Sequence, residues 1–127
     1  GLAELPGRPF FELSSGERRL VLIARTLAQD PGILLLDEPT TFLDPRHEIE
    51  ILELIRRLAR EMNKTVIVTL HDLDMAVKYS DDMVFMKSGR VVAAGPPGDI
   101  LSEALLKAVY DIEMGILNVD GRRLIVR

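Results

Sequence analysis

Ile33-Leu34-Leu35-Leu36-Asp37-Glu38-Pro39 is the stretch on which the reading of this chain turns. Four apolar residues without polar alternation suit a short strand covered on both faces, as in a parallel sheet. Pro31-Gly32 stops whatever precedes the run, and Pro39 closes it. Such a strand delivers its last residues to the carboxyl edge of the sheet, where ligands of open α/β folds bind. Here that edge carries two adjacent carboxylates, Asp37 and Glu38. Side chains alternate along a strand, so the two are expected to point in different directions.

The pattern on either side supports an α/β chain. Upstream, Leu20, Ile23, Ala24, Leu27 and Ala28 share one helical face and predict a helix over 15–29. The segment before it, Gly1 to Phe11, is broken by Pro and Gly and reads as an incoming connection. Downstream, Asp44 as N-cap and Pro45 at the first helical position start a second helix, with Ile55, Leu58, Ala59 and Met62 turned inward. Thr65 to Leu70 is a second β-branched strand ending at His71-Asp72, and a short helix is expected over 73–79. The order α-β-α-β-α implies parallel strands joined by helical crossovers. Beyond it, Met83–Met86 and Arg90–Ala94 flank Ser88-Gly89 as a hairpin. A helix follows over 99–110, and Asp120-Gly121 links two final strands, Ile112–Val119 and Arg122–Val126. There is no internal repeat and no low-complexity tract.

Composition narrows the function classes. With 47% hydrophobic and 28% charged residues among 127, the chain can pack one core and is not globally disordered. The net charge of −4 argues against a strongly basic nucleic-acid surface. No apolar run approaches the roughly 18–20 residues of a membrane helix, and the first residues show no secretory pattern. The absence of cysteine excludes disulfides, thiolate metal sites and cysteine nucleophiles, and two histidines make a His-rich metal cage improbable.

Several residues could carry chemistry, and each also has an ordinary structural role. Asp37 and Glu38 could hold a hydrated Mg²⁺ and face an attacking water, or simply solvate a strand end. Ser14 followed by Glu17 is a capping box, sufficient as a helix start. The same helix N-terminus, preceded by Ser and Gly, also offers free N–H groups and a positive dipole end to an anion such as phosphate. Asp44 is a good N-cap. His71 leaves the second strand at the edge expected for Asp37 and Glu38, and three polar groups converging there suggest a site. His47 lies in a polar helix turn and reads as surface.

In this order and spacing the motifs resemble the nucleotide-binding subunits of ABC transporters. Leu13-Ser14-Ser15-Gly16-Glu17 resembles the signature motif, Ile33–Asp37 with Glu38-Pro39 the Walker B strand and its catalytic glutamate, Phe42-Leu43-Asp44 the D-loop, and His71 the switch histidine. The likeness runs from Leu13 to the last strand. Phe42–Glu48 and the tail are similar to importer ATPases that serve iron–siderophores, haem and vitamin B12. Two signature positions depart from the usual pattern: Ser15 stands where Gly is usual and Glu17 where Gln is frequent. None of the nine glycines is followed by lysine, so the phosphate-cradling P-loop motif is not in this sequence.

The resemblance therefore implies the C-terminal half of an ABC ATPase domain, cut within the helical subdomain, with Gly1 expected at an artificial, proteolytic or misannotated-gene boundary. The implied fold is a P-loop NTPase-like partial parallel sheet with flanking helices, without the P-loop half, plus a small C-terminal α+β appendix. Residues 1–30 would end the helical subdomain, 31–82 would form the Walker B to switch-His core, and 83–127 would supply hairpins and a helix. The implied cofactors are ATP and Mg²⁺. Two subunits would face each other head to tail. Ser14, Ser15, Gly16 and Glu17 would bind the nucleotide held by the opposite subunit, and Asp37 would hold Mg²⁺ through water. Glu38 would act as general base, His71 would contact the γ-phosphate, and Asp44 would couple the two sites. The partners implied are a second ATPase subunit, membrane-spanning permease subunits and, indirectly, a substrate-binding protein, at the cytoplasmic face of the membrane; no nucleic acid is implied. The isolated chain is expected to be inactive and to self-associate through open sheet edges. The alternatives are a non-transport ABC ATPase, a truncated non-catalytic interaction module that docks a full-length partner, and an unrelated α/β domain with ordinary helix caps.

Overall fold

The computed structural model describes residues 7–119 and 122–126. It contains two compact units, the first reaching Leu70 and the second beginning at His71. The Asp120-Gly121 turn lies outside the described residues.

The first unit holds α1 (Ser15–Leu27), β1 (Ile33–Leu36), α2 (Pro45–Glu61) and β2 (Thr65–Val68). β1 and β2 pair in parallel with Ile33 opposite Thr65 and Leu36 opposite Val68. α1 is shorter than expected, because Asp30 takes a left-handed φ of 46° and Lys64 pairs with its carboxylate. α2 begins at Pro45 behind the Asp44 cap, as its sequence predicts. Its buried face is Ile51, Leu52, Ile55 and Leu58. Met62 falls beyond the last helical residue and is 53% exposed, which corrects its expected place in the core. The stripe runs one turn earlier, on a helix that packs against α1 and β2.

The expectation that β1 is buried on both faces also needs correction. Leu34 is buried, whereas Ile33 and Leu35 are 61% and 71% exposed. A parallel strand is apolar on both sides only to be covered on both sides. The first unit supplies cover for one.

The second unit contains α3 (Leu73–Tyr79), β3 (Met83–Lys87), β4 (Arg90–Gly95), α4 (Pro97–Ile100), α5 (Glu103–Tyr110), β5 (Gly115–Val119) and β6 (Arg122–Val126). β3 and β4 form an antiparallel hairpin through Ser88 and Gly89, both at positive φ, the geometry that matches strand twist. β5 and β6 form a second antiparallel pair. Leu73, Met83, Phe85, Leu101, Leu106 and Met114 make its core. The single helix expected over 99–110 is two helices. Leu101 is extended, and the Ser102 hydroxyl accepts a hydrogen bond from Leu105 N–H, so a new cap interrupts the turn. β5 starts at Gly115, later than the expected Ile112.

Candidate functional site

The exits of β1 and β2 are tied together by one hydroxyl. Parallel register carries Thr69 beside the end of β1, where its N–H donates to the Leu36 carbonyl at 3.0 Å. Thr69 Oγ1 donates to Asp37 Oδ1 at 2.7 Å and accepts from Glu38 N–H at 2.8 Å. Asp37 and Glu38 thus share one anchor. Glu38 has φ 44°, an uncommon conformation for a residue with a Cβ, and its carboxylate accepts from Thr41 Oγ1 at 3.1 Å. Pro39 behind it is fully buried. The turn of the chain after β1 is therefore set by a strained backbone, a buried proline and two threonines. The sequence analysis missed Thr69 and Thr41. The signal for Thr69 is a hydroxyl one residue past a strand whose parallel neighbour ends in acids.

At the start of α1 the capping box is complete. Ser14 Oγ accepts from Glu17 N–H at 3.2 Å, and Glu17 Oε2 accepts from Ser14 N–H at 2.8 Å. The Ser14 N–H, the Ser14 hydroxyl and the nearby Arg8 guanidinium hold the Glu17 carboxyl below the usual glutamate range. Arg8 also pairs with Glu17 directly, offsetting a negative charge at the end of the helix that favours anions. Arg18 reaches back to the carbonyls of Leu13 and Phe11, both at 2.8 Å, and pins the entering loop. Ser15 is the first helical residue and is exposed, while Gly16 is buried.

Asp44 caps α2 by accepting from the N–H groups of Arg46 and His47. Its second oxygen meets His47 Nδ1 at 2.5 Å. These bonds, the His47 side-chain contact first, lower the Asp44 pKa. His47 is not the plain surface residue expected, because its ring lies against Gly16 at the start of α1. Phe42, two residues before Asp44, is 93% exposed at φ 64°.

The first unit therefore brings Asp37 and Glu38 together, and independently brings the Ser14–Glu17 turn together with the Asp44–His47 turn. His71 is the first residue of the second unit. Asp72 after it caps α3 by accepting from Met75 N–H. No group of three or more metal-ligating side chains occurs among the described residues. Two adjacent hard-oxygen carboxylates, Asp37 exposed and Glu38 half-buried, suit an ion such as Mg²⁺ that keeps most of its water and takes phosphate oxygens.

A family model described as "AAA domain, putative AbiEii toxin, Type IV TA system" matches residues 4–74. The achromobactin transport ATP-binding protein CbrD of Dickeya dadantii is 49% identical over 117 residues, covering 92% of this chain and 44% of that protein. Other relatives are named as import ATP-binding proteins for petrobactin, hemin, cobalamin and iron(3+)-hydroxamate. Among solved structures, "An inward-facing conformation of a putative metal-chelate type ABC transporter" is similar at a TM-score of 0.82 and 30% identity, covering 94% of this chain and 48% of that one. A dimeric ATP-binding cassette in a post-hydrolysis state, bound to ADP and Pi, is similar at 0.61 and 36% identity, covering 68% and 37%. The chain spans less than half the length of these proteins. With its matched AAA domain and its relatives alike, this chain belongs to the family of ABC transporter ATP-binding proteins.

Proposed function

We propose that this chain is the C-terminal half of an ATP-hydrolysing subunit that powers ABC-type import of an iron-siderophore, haem or cobalamin-like ligand. The observation that carries the reading is the Asp37–Glu38 pair at a parallel strand exit, both anchored by Thr69. Relatives named for importers of that ligand class support the finer assignment. The chemistry is phosphoryl transfer to water, in which the protein positions groups and stabilises charge. When bound, Mg·ATP supplies the electrophilic γ-phosphorus and a metal that offsets its developing charge. Asp37 holds the metal through water, with one oxygen fixed by the Thr69 hydroxyl and the other left to it. Glu38 orients the attacking water and takes its proton, its carboxylate held by the Thr41 hydroxyl. Ser15 and Gly16 present the first-turn N–H groups of α1, with the Ser14 hydroxyl beside them, to a phosphate held by an opposing subunit, with Glu17 closing the cap. His71 contacts the γ-phosphate, and Asp44 couples the two sites of a homodimer. The subunit works at the cytoplasmic face of the membrane, where its partners are permease subunits and, indirectly, a substrate-binding protein. No helix among the described residues is long and apolar enough to cross a membrane, which fits a peripheral subunit.

The test uses the complete subunit. Glu38→Gln keeps shape and removes the base. ATP binding is expected to stay within about twofold while turnover falls by about 10²-fold or more. Turnover within about threefold of wild type refutes the role given to Glu38.

A further inference from the structure

Gly16 has no backbone reason to be glycine. It lies in the first turn of α1 at an ordinary helical φ, where glycine costs helix propensity relative to alanine. Its neighbour supplies the reason. A Cβ built on Gly16 would stand 2.8 Å from His47 Cδ2 and 3.0 Å from His47 Cγ, closer than carbon atoms approach. The imidazole therefore sits on the bare backbone of α1, in a place a methyl group would fill. The ring is not free to swing aside. Its Nδ1 is held by Asp44 Oδ2, and the other oxygen of Asp44 is committed to the first amides of α2. A carboxylate acceptor selects the tautomer with the proton on Nδ1. The sequence offers a polar histidine on a polar turn, and the fold converts it into the contact between two loops that the family resemblance assigns separate tasks.

We infer that His47 is a positioning residue: seated on Gly16 and clamped by Asp44, it locks the Phe42–Asp44 loop to the start of α1, so that the phosphate-facing turn and the loop move as one body. The inference rests on the reading of Ser14–Glu17 as a phosphate-contacting turn. It assigns Gly16 a duty toward His47 that is separate from any approach of backbone to nucleotide.

A double-mutant cycle in the complete subunit tests it, with kcat and KM for Mg·ATP measured for Gly16→Ala, His47→Ala and the double variant. Gly16→Ala alone is expected to lower kcat about tenfold, the scale of coupling between touching residues. His47→Ala is expected to lower kcat with KM held within about twofold, since the ring's assigned task is to position the turn and not to bind nucleotide. In the His47→Ala background the Gly16→Ala change is expected to cost at least about threefold less than it does in wild type, because only the Cβ of residue 47 remains, at an ordinary 3.4 Å. His47→Gln, which keeps a donor for Asp44, is expected to fall between wild type and His47→Ala. An equal loss from Gly16→Ala in both backgrounds overturns the inference. A second measurement serves if a variant misfolds or if wild type hydrolyses no ATP. Nitrogen-15 spectra of the wild-type imidazole are expected to show the Nδ1–H tautomer, and Asp44→Asn to abolish it. A His47 ring with the tautomer mixture of free imidazole, unchanged by Asp44→Asn, overturns the docking itself. Absent ATPase activity beside an intact Nδ1–H signature instead overturns the ATPase reading and leaves the lock standing.

Discussion

Thr69 shows how a site can be organised by a residue that does no chemistry. Its single hydroxyl donates to Asp37 and accepts from the Glu38 amide, so it fixes both acids at once. Valine has the same shape without the polar atom. Thr69→Val therefore leaves the Glu38 N–H without its acceptor and Asp37 without its donor, and because both bonds are exposed and water can replace them the cost is about 0.5–1.5 kcal/mol for each. In the complete subunit, turnover is expected to drop roughly tenfold on the scale of a misplaced catalytic group, with Thr69→Ser close to wild type. Steady-state ATPase assays check this; equal losses in the two variants would show that the methyl group, not the hydroxyl, matters.

The pairings of Thr69 and His47 were invisible in the sequence for the same reason. Each joins segments far apart in the chain, and each becomes meaningful only once register or helix packing is known. Thr69 reads as the tail of a β-branched run until Leu36 is seen opposite Val68. His47 reads as solvated until Gly16 is seen beneath it. The residues with purely local roles were legible. Ser14 with Glu17, and Asp44 before Pro45, are caps written within one turn of chain.

At the scale of elements, α1 is held at its start by charge as well as by hydrogen bonds. Because Glu17 titrates below its ordinary value in the folded chain, its stabilisation is fully present above the unfolded pKa and is lost as pH falls through the folded one. The stability difference between wild type and Glu17→Gln is thus expected to be constant from about pH 7 to pH 5 and to shrink below about pH 4. Denaturant melts followed by circular dichroism measure it; a difference that grows on acidification would reverse the sign assigned to the Ser14 and Arg8 contacts. Buried anchors matter more than caps. Leu34 is 1% exposed, and Leu34→Ala is expected to destabilise the first unit by about 2–5 kcal/mol.

Element type was legible wherever periodicity and caps agreed, as in α1, α2 and the β3–β4 hairpin. It failed where a local device cut across the pattern. The apolar spacing over 99–110 continues through Leu101, but Ser102 prefers to cap the helix after it than to sit inside one. Burial failed where it depends on material other than the strand itself. Ile33 and Leu35 have the composition of covered residues, and the first unit does not cover them.

For the whole molecule, that uncovered face sets the behaviour of the chain in isolation. Ile33, Leu35 and Ile67 expose apolar surface on a two-stranded sheet, a size that is marginal by itself and leaves paired edges open. The 127-residue chain is expected to self-associate, with a light-scattering mass above 14.2 kDa. It is also expected to bind Mg·ATP weakly, since its sequence holds no phosphate-cradling Gly-Lys element. A clean monomer contradicts the first expectation, and micromolar affinity by calorimetry the second.

The second unit carries a consequence for how the polypeptide is made. Asp74, at the start of α3, accepts from the N–H of Ile125 on β6, across 51 residues. At a synthesis rate of ~5–20 residues per second, the helix leaves the ribosome about 3–10 s before its acceptor meets that donor. During that interval the Asp74 carboxylate waits for this donor, so the tie between α3 and β6 is among the late contacts of the second unit to form.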